Sequence, residues 1–188
     1  MRFLIKSIFA SILILFPLTY CFSAADLGKV HESEDGAFSV PFGKSYNYDD
    51  ILVTRVVDGD TLVLENGERV RLIGIDTPEI HESNKLYRDS RKSGQDLRTI
   101  KEMGQLAFHF TKKLVEGKKV RLEFDVERTD RYKRLLAYAY LSDGVFVNAE
   151  IIKQGYASIM TYPPNVKYAD LFAKLYKEAR ENSRGLWK

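Results

Sequence analysis

The sequence predicts an α+β fold: a five-stranded OB-type β-barrel with about three α-helices. Three observations predict it. Five short runs are strand-like, the first two of them β-branched, tight-turn residues join the first three, and a long amphipathic run separates the third from the fourth. The first run, residues 52–57, carries Val53, Val56 and Val57, and the second covers 61–64, with Asp58-Gly59-Asp60 between them. Asn66-Gly67 then turns the chain into the third, 69–75. Residues 78 to about 93 are polar and charged and predict a long loop. Over 100–115, Met103, Leu106, Ala107, Phe110 and Leu114 recur at helical spacing, and Gly117 closes that helix. Residues 119–126 and 135–141 are the last two strands, separated by the very polar stretch 127–134. Residues 148–154, ahead of Gly155, predict a short helix. Residues 169–182, with Leu171, Phe172, Leu175, Tyr176 and Ala179, predict a terminal amphipathic one.

The 188 residues suffice for one catalytic-sized domain and an appendage. At 45% hydrophobic and 29% charged, the chain can bury a core, which excludes a disordered tail, a collagen-like repeat and a polytopic membrane protein. A net charge of +3 is too mild to mark a nucleic-acid binder, so any basic surface must be local. The single cysteine forbids an intramolecular disulfide, and three scattered histidines offer no zinc cluster. A metal here would need oxygen ligands.

The appendage is N-terminal. Arg2 and Lys6, the apolar run 8–18 and the small residues Ser23, Ala24 and Ala25 give residues 1–25 the pattern of a secretory signal peptide. An uncleaved anchor is the alternative, because residues 7–25 carry no charge over nearly the roughly 20 residues that span a bilayer. Pro17 and the small residues favour cleavage. A lipoprotein through Cys21 ranks last, since the bulky Tyr20 stands where a small residue is expected. The expected location is therefore exported, secreted or periplasmic, with membrane anchoring as the minor alternative. Residues 26–50 have no sustained period and predict a linker or arm, leaving 51–188 as the folded domain.

Four carboxylates stand at strand ends. Asp58 and Asp60 flank Gly59, which is also an ordinary hairpin turn; Asp76 and Glu79 have capping-box spacing, but residues 81–85 lack the apolar periodicity of a helix. As hard donors, these four point to calcium or magnesium over zinc or copper. Arg71 alternates with Ile73 and Ile75 and so shares a face with apolar residues. It is either half of a structural ion pair or a fork for phosphate. Arg128, Arg131, Lys133 and Arg134 crowd one turn, as a solvated loop or an electrostatic clamp. Tyr162, beside Pro163 and Pro164, is either loop packing or a stacking platform for a base.

Read in order, Val57-Asp58-Gly59-Asp60-Thr61, then the segment from Arg71 through Asp76-Thr77-Pro78-Glu79, then Arg128-Thr129-Asp130-Arg131-Tyr132 with Arg134 resemble the staphylococcal nuclease (thermonuclease) family. Asn148-Ala149, Gln154-Gly155 and Gly185-Leu186-Trp187 resemble its later landmarks, so the resemblance covers about 51–188. It implies an OB-fold nuclease that hydrolyses phosphodiester bonds of DNA and RNA with little sequence preference. Cleavage would be endonucleolytic, with one calcium ion and 3′-phosphate products, single strands preferred, and the enzyme a monomer with no protein partner. By the same resemblance, Asp60 and Asp76 would hold calcium through carboxylates and Thr77 through its carbonyl, with Asp58 assisting through water. Glu79 would be the general base, Arg71 and Arg134 would bind the phosphate and its transition state, and Tyr162 would approach the nucleotide.

The chemistry is coherent: water is a poor nucleophile and the phosphodiester repels it, so a carboxylate base must be paired with cations that neutralise growing negative charge. The chain departs from the family pattern in three places. Lys133 and Leu135 flank Arg134 where glycine is common, the stretch after Glu79 is longer and carries Arg88, Arg91, Lys92 and Arg98, and the aromatic region before Asn165 is shorter. Two other classes compete with the nuclease. A noncatalytic nucleic-acid-binding module would bind without turnover, and a calcium-stabilised secreted domain would show metal-dependent melting without salt-sensitive affinity for DNA.

Overall fold

A computed structural model describes residues 37–38 and 46–188. The expected signal peptide or anchor, Cys21 and most of the 26–50 arm lie outside the described residues. Within the arm, β1 (Ala37–Phe38) and β2 (Tyr46–Asn47) pair antiparallel. Then β3 (Ile51–Asp58), β4 (Thr61–Leu64) and β5 (Arg69–Leu72) run as an antiparallel meander. With β7 (Lys119–Thr129) and β8 (Leu135–Leu141) they close a barrel in the order β3-β4-β5-β8-β7. Its seams are a parallel β5–β8 pairing, Val70 opposite Leu135, and an antiparallel β3–β7 pairing, Ile51 opposite Val120. The predicted five-strand α+β barrel is the observed one.

The barrel closes because inward positions carry compact apolar side chains: Val53, Leu62, Leu64, Val70, Leu72, Val120, Ala137 and Ala139 are all buried. Each buried Val or Leu contributes about 1.5–3 kcal/mol. One end is covered by α2 (Leu97–Val115), which buries Ile100, Ala107 and Val115 and is capped by the Asp96 carboxylate accepting from Thr99 N at 2.9 Å. Gly117, at φ +75°, turns the chain into the barrel. The short helix α3 (Val147–Lys153) and the terminal α4 (Ala169–Glu181) lie close to their predicted bounds, and α4 docks through Phe172.

The structure differs from the sequence expectation in three places. The expected loop 78–93 contains a fourth helix, α1 (Asn84–Ser93), which buries only Leu86 and so leaves no apolar stripe to read. Its ends define it: the Ser83 hydroxyl accepts from Leu86 N at 3.1 Å, and Gly94, at φ +72°, donates to Ser90 O. The third run, expected as one strand over 69–75, is two. β5 ends at Leu72, and β6 (Gly74–Asp76) leaves the barrel to pair with a short β9 (Ser158–Met160). Gly74 makes the break at φ +82°, and a Cβ there would lie 2.4 Å from the Phe172 ring. Buried Asn148 fixes the break, donating to Ile73 O at 2.9 Å and accepting from Ala139 N at 3.0 Å. Arg71, Ile73 and Ile75 therefore do not share one strand face. The barrel hairpin is also tighter than expected, because β7 runs on to Thr129.

Candidate active site

A cleft of about 840 Å3 opens where three strand ends meet. Asp58, Asp60, Arg71, Asp76, Glu79, Arg134 and Tyr162 all line it, so residues scattered over the chain from position 58 to 162 share one volume. Thr77 lies behind this wall and is buried.

The acids are held by the β3–β4 turn and the end of β6. Asp60 is buried, and its Oδ2 accepts from Thr77 N at 2.9 Å and Thr77 Oγ1 at 3.1 Å, while Oδ1 accepts from Thr61 Oγ1 at 3.2 Å. Behind the turn, Thr111 on α2 donates to Gly59 O at 2.8 Å. Burial works against charge on Asp60, but Arg71 and the Thr77 N–H outweigh it and hold the carboxyl below its usual range. Asp58 is the reverse case. Burial first and the Asp60 charge second push it up to about 7. Burial likewise raises Asp76, against the opposing pull of Lys85.

Arg71 projects from β5 between these acids. Its guanidinium lies 3.3 Å from Asp60 Oδ2 and 3.2 Å from Asp76 Oδ1, and it donates to Ile75 O at 2.8 Å and Leu72 O at 3.0 Å. The ion-pair reading of this arginine is the observed geometry, and the pair stands at the cleft wall. Glu79 follows on the segment after β6, and Gly104 on α2 lets that segment sit close. A Cβ on Gly104 would lie 2.7 Å from Glu79 O and 2.8 Å from Pro78 O.

The opposite wall is the β7–β8 turn. Asp130 organises it, accepting from Tyr132 N at 2.8 Å, Arg134 N at 2.9 Å and Arg134 Nε at 2.8 Å, with Arg134 Nη2 at 2.7 Å. Lys133 takes the left-handed conformation, φ +62°, that glycine adopts more easily. The turn forms without glycine because Asp130 closes it. Of the four cations crowded here, Arg131 and Arg134 line the cleft, whereas Arg128 lies over the Phe124 ring at 5.0 Å. Exposed Tyr162 is fixed through its carbonyl, which accepts from Asn165 N at 3.0 Å, and buried Asn165 in turn bonds both ways to the Glu127 backbone, at 2.8 and 2.9 Å.

Lys85 is the residue that sequence reasoning missed. From the first turn of α1 its ammonium reaches Thr77 O at 2.9 Å, Asp76 Oδ1 at 3.0 Å and Glu79 Oε1 at 3.1 Å. Burial disfavours its charge, but Asp76, Asp60 and Glu79 outweigh that and raise its pKa. The only signal in the sequence was the Ser83 cap; nothing in the spacing aims the side chain.

The residues present fit a hard divalent cation. Among the described residues, no three acid, histidine or cysteine side chains converge on one cation-sized point. The converging oxygens are instead carboxylates together with the Thr77 carbonyl, and a cation, the Lys85 ammonium, already rests on them. Burial first and the neighbouring Asp60 charge second push Asp58 up, and a divalent cation beside these acids would relieve the second of these.

The model of the family described as staphylococcal nuclease homologue matches residues 69–188. A thermonuclease of Staphylococcus intermedius is 40% identical over 148 residues, which is 77% of each chain. A thermonuclease of Staphylococcus hyicus is 32% identical over 158 residues, 82% of this chain and 85% of the relative. The SPbeta prophage-derived endonuclease YokF of Bacillus subtilis is 38% identical over 143 residues, 73% of this chain and 44% of that protein.

Proposed function

The chain belongs to the staphylococcal nuclease family and is a phosphodiester hydrolase; from that premise we propose a calcium-dependent nuclease that cuts DNA and RNA within the strand, with little sequence preference, leaving 3′-phosphate ends. The observation that carries this reading is the single cleft in which Asp60, Asp76 and Glu79 face Arg71 and Arg134. Asp60, Asp76 and the Thr77 carbonyl would hold one calcium ion, with Asp58 helping through water; the ion would supply Lewis-acid neutralisation of charge on the phosphoryl oxygens.

The protein's own groups do the rest. Glu79 takes the proton of the attacking water, which needs its carboxylate free and facing the cleft. Arg71 and Arg134 grip phosphoryl oxygens from opposite walls, and a planar guanidinium suits this better than an ammonium because its donors match two oxygens at once. Tyr162, solvent-facing at the rim, offers a ring to a base, which favours single strands whose bases are unstacked. The whole set comes from one chain, in keeping with a monomer. Residues 1–25 would direct the enzyme out of the cytoplasm, to a secreted or periplasmic location.

Digestion of single-stranded DNA and of RNA with calcium, with magnesium and with a calcium chelator tests the reading. Cleavage that requires calcium is the expected result. Salt-sensitive binding with no cleavage under any condition would make the domain a binding module instead.

A further inference from the structure

Resting on the calcium reading above, we propose that Lys85 is the resident cation of this site: its ammonium occupies the oxygens that calcium needs, and calcium binds only by displacing it. Helix α1 thereby sets the metal affinity.

An ammonium has three donors, and Lys85 spends them on Asp76 Oδ1, Thr77 O and Glu79 Oε1, all within 3.1 Å. Two of these are the oxygens expected to hold calcium, and the third belongs to the expected base. Two cations on the same two oxygens would repel strongly at such range, so the ammonium and the metal exclude one another. Of the two cations beside the acids, Lys85 is the removable one. Arg71 is locked by two peptide carbonyls as well as two carboxylates. Lys85 sits at the end of a flexible four-carbon stem and is 21% exposed, so it has a path to solvent. Its helix does not depend on that contact, since Ser83, Gly94 and buried Leu86 fix α1 independently.

The exchange couples metal binding to the base. Without metal, Glu79 Oε1 is held by the Lys85 ammonium at 3.1 Å; entry of the metal removes that partner and leaves the carboxylate free to meet the attacking water. The apparent calcium affinity is then reduced by the fraction of molecules whose site Lys85 fills.

Calorimetric calcium titration, without nucleic acid, of the wild type, Lys85→Met and Lys85→Arg tests the exchange. Lys85→Met keeps the stem and loses the charge; its Kd for calcium should fall at least about tenfold, with Lys85→Arg staying near the wild type. The metal-free Met variant should melt below the metal-free wild type, while the two converge in saturating calcium. A purely structural lysine would lower both melting points alike. In the wild type, acylation of Lys85 by an amine-directed reagent, read by peptide mapping, should accelerate on adding calcium; this measurement needs no variant to fold. An unchanged or weaker calcium Kd in Lys85→Met, or acylation indifferent to calcium, overturns the exchange while leaving the calcium reading in place. No calcium binding to any of the three proteins would overturn both.

Discussion

Asp60 is buried, with Asp58 and Asp76 half-buried beside it on a cross-braced wall, whereas Arg134 stands at a hairpin tip held by one carboxylate. Asp60 is fixed by Thr77, Thr61 and Arg71 together, each from a different stretch of chain. Arg134 is fixed by Asp130, four residues away on the same turn. The acid wall is therefore placed by the fold and cannot be altered without disturbing the barrel, while the arginine turn is placed locally and can. Charge explains the asymmetry. Burying carboxylates beside one another costs enough, as the raised Asp58 shows, that only a rigid scaffold holds them; a partly exposed guanidinium needs one partner.

Substituting the two arginines separates the regions most widely. Arg71→Ala should lose about a thousandfold or more in rate. It should also lose about 3–5 kcal/mol of stability by urea unfolding, because it strips a partner from the buried Asp60. Arg134→Ala should lose comparable activity but only about 1 kcal/mol, since its pair is partly exposed and Asp130 keeps its backbone donors. Equal stability losses would break the comparison.

Asp130→Ala should cost about 1–2 kcal/mol, the scale of a lost helix cap, because two turn N–H groups lose their acceptor. Its activity should drop about tenfold, mainly in kcat as measured on a labelled strand, with Arg134 present but unaimed. The smallest effect should come from Lys133→Gly, which relieves the left-handed backbone and should raise stability by about 1 kcal/mol at unchanged activity. A loss of stability there would mean that Lys133 contributes something the turn geometry does not show.

The same contrast governs what was legible in the sequence. The barrel strands, α2 and α4 were readable because alternation and helical period report burial directly. The acids and arginines were readable as a constellation because the family pattern fixes their order. Helix α1 escaped because its information lies in the Ser83 and Gly94 caps and one buried Leu86, too little for periodicity to register. The break in the third strand escaped because its one local signal, Gly74, stands among strand-like residues; what fixes it comes from afar, from Asn148 and from the Phe172 ring over Gly74. Lys85 was invisible for the same reason, since its partners are brought to it by tertiary structure. The turn at Lys133, which departs from the family's glycine, closes because Asp130 supplies the bonds that hold it.

The most direct test of the central claim compares Glu79→Gln with the wild type. Single-turnover cleavage of a 5′-labelled DNA strand in calcium would be measured alongside calcium affinity, with the product ends identified. Glu79→Gln should lose about a hundredfold or more in rate while keeping calcium binding and melting temperature, and the wild type should leave 3′-phosphate ends. Cleavage by Glu79→Gln at the wild-type rate, or wild-type cleavage that persists in chelator, would contradict it.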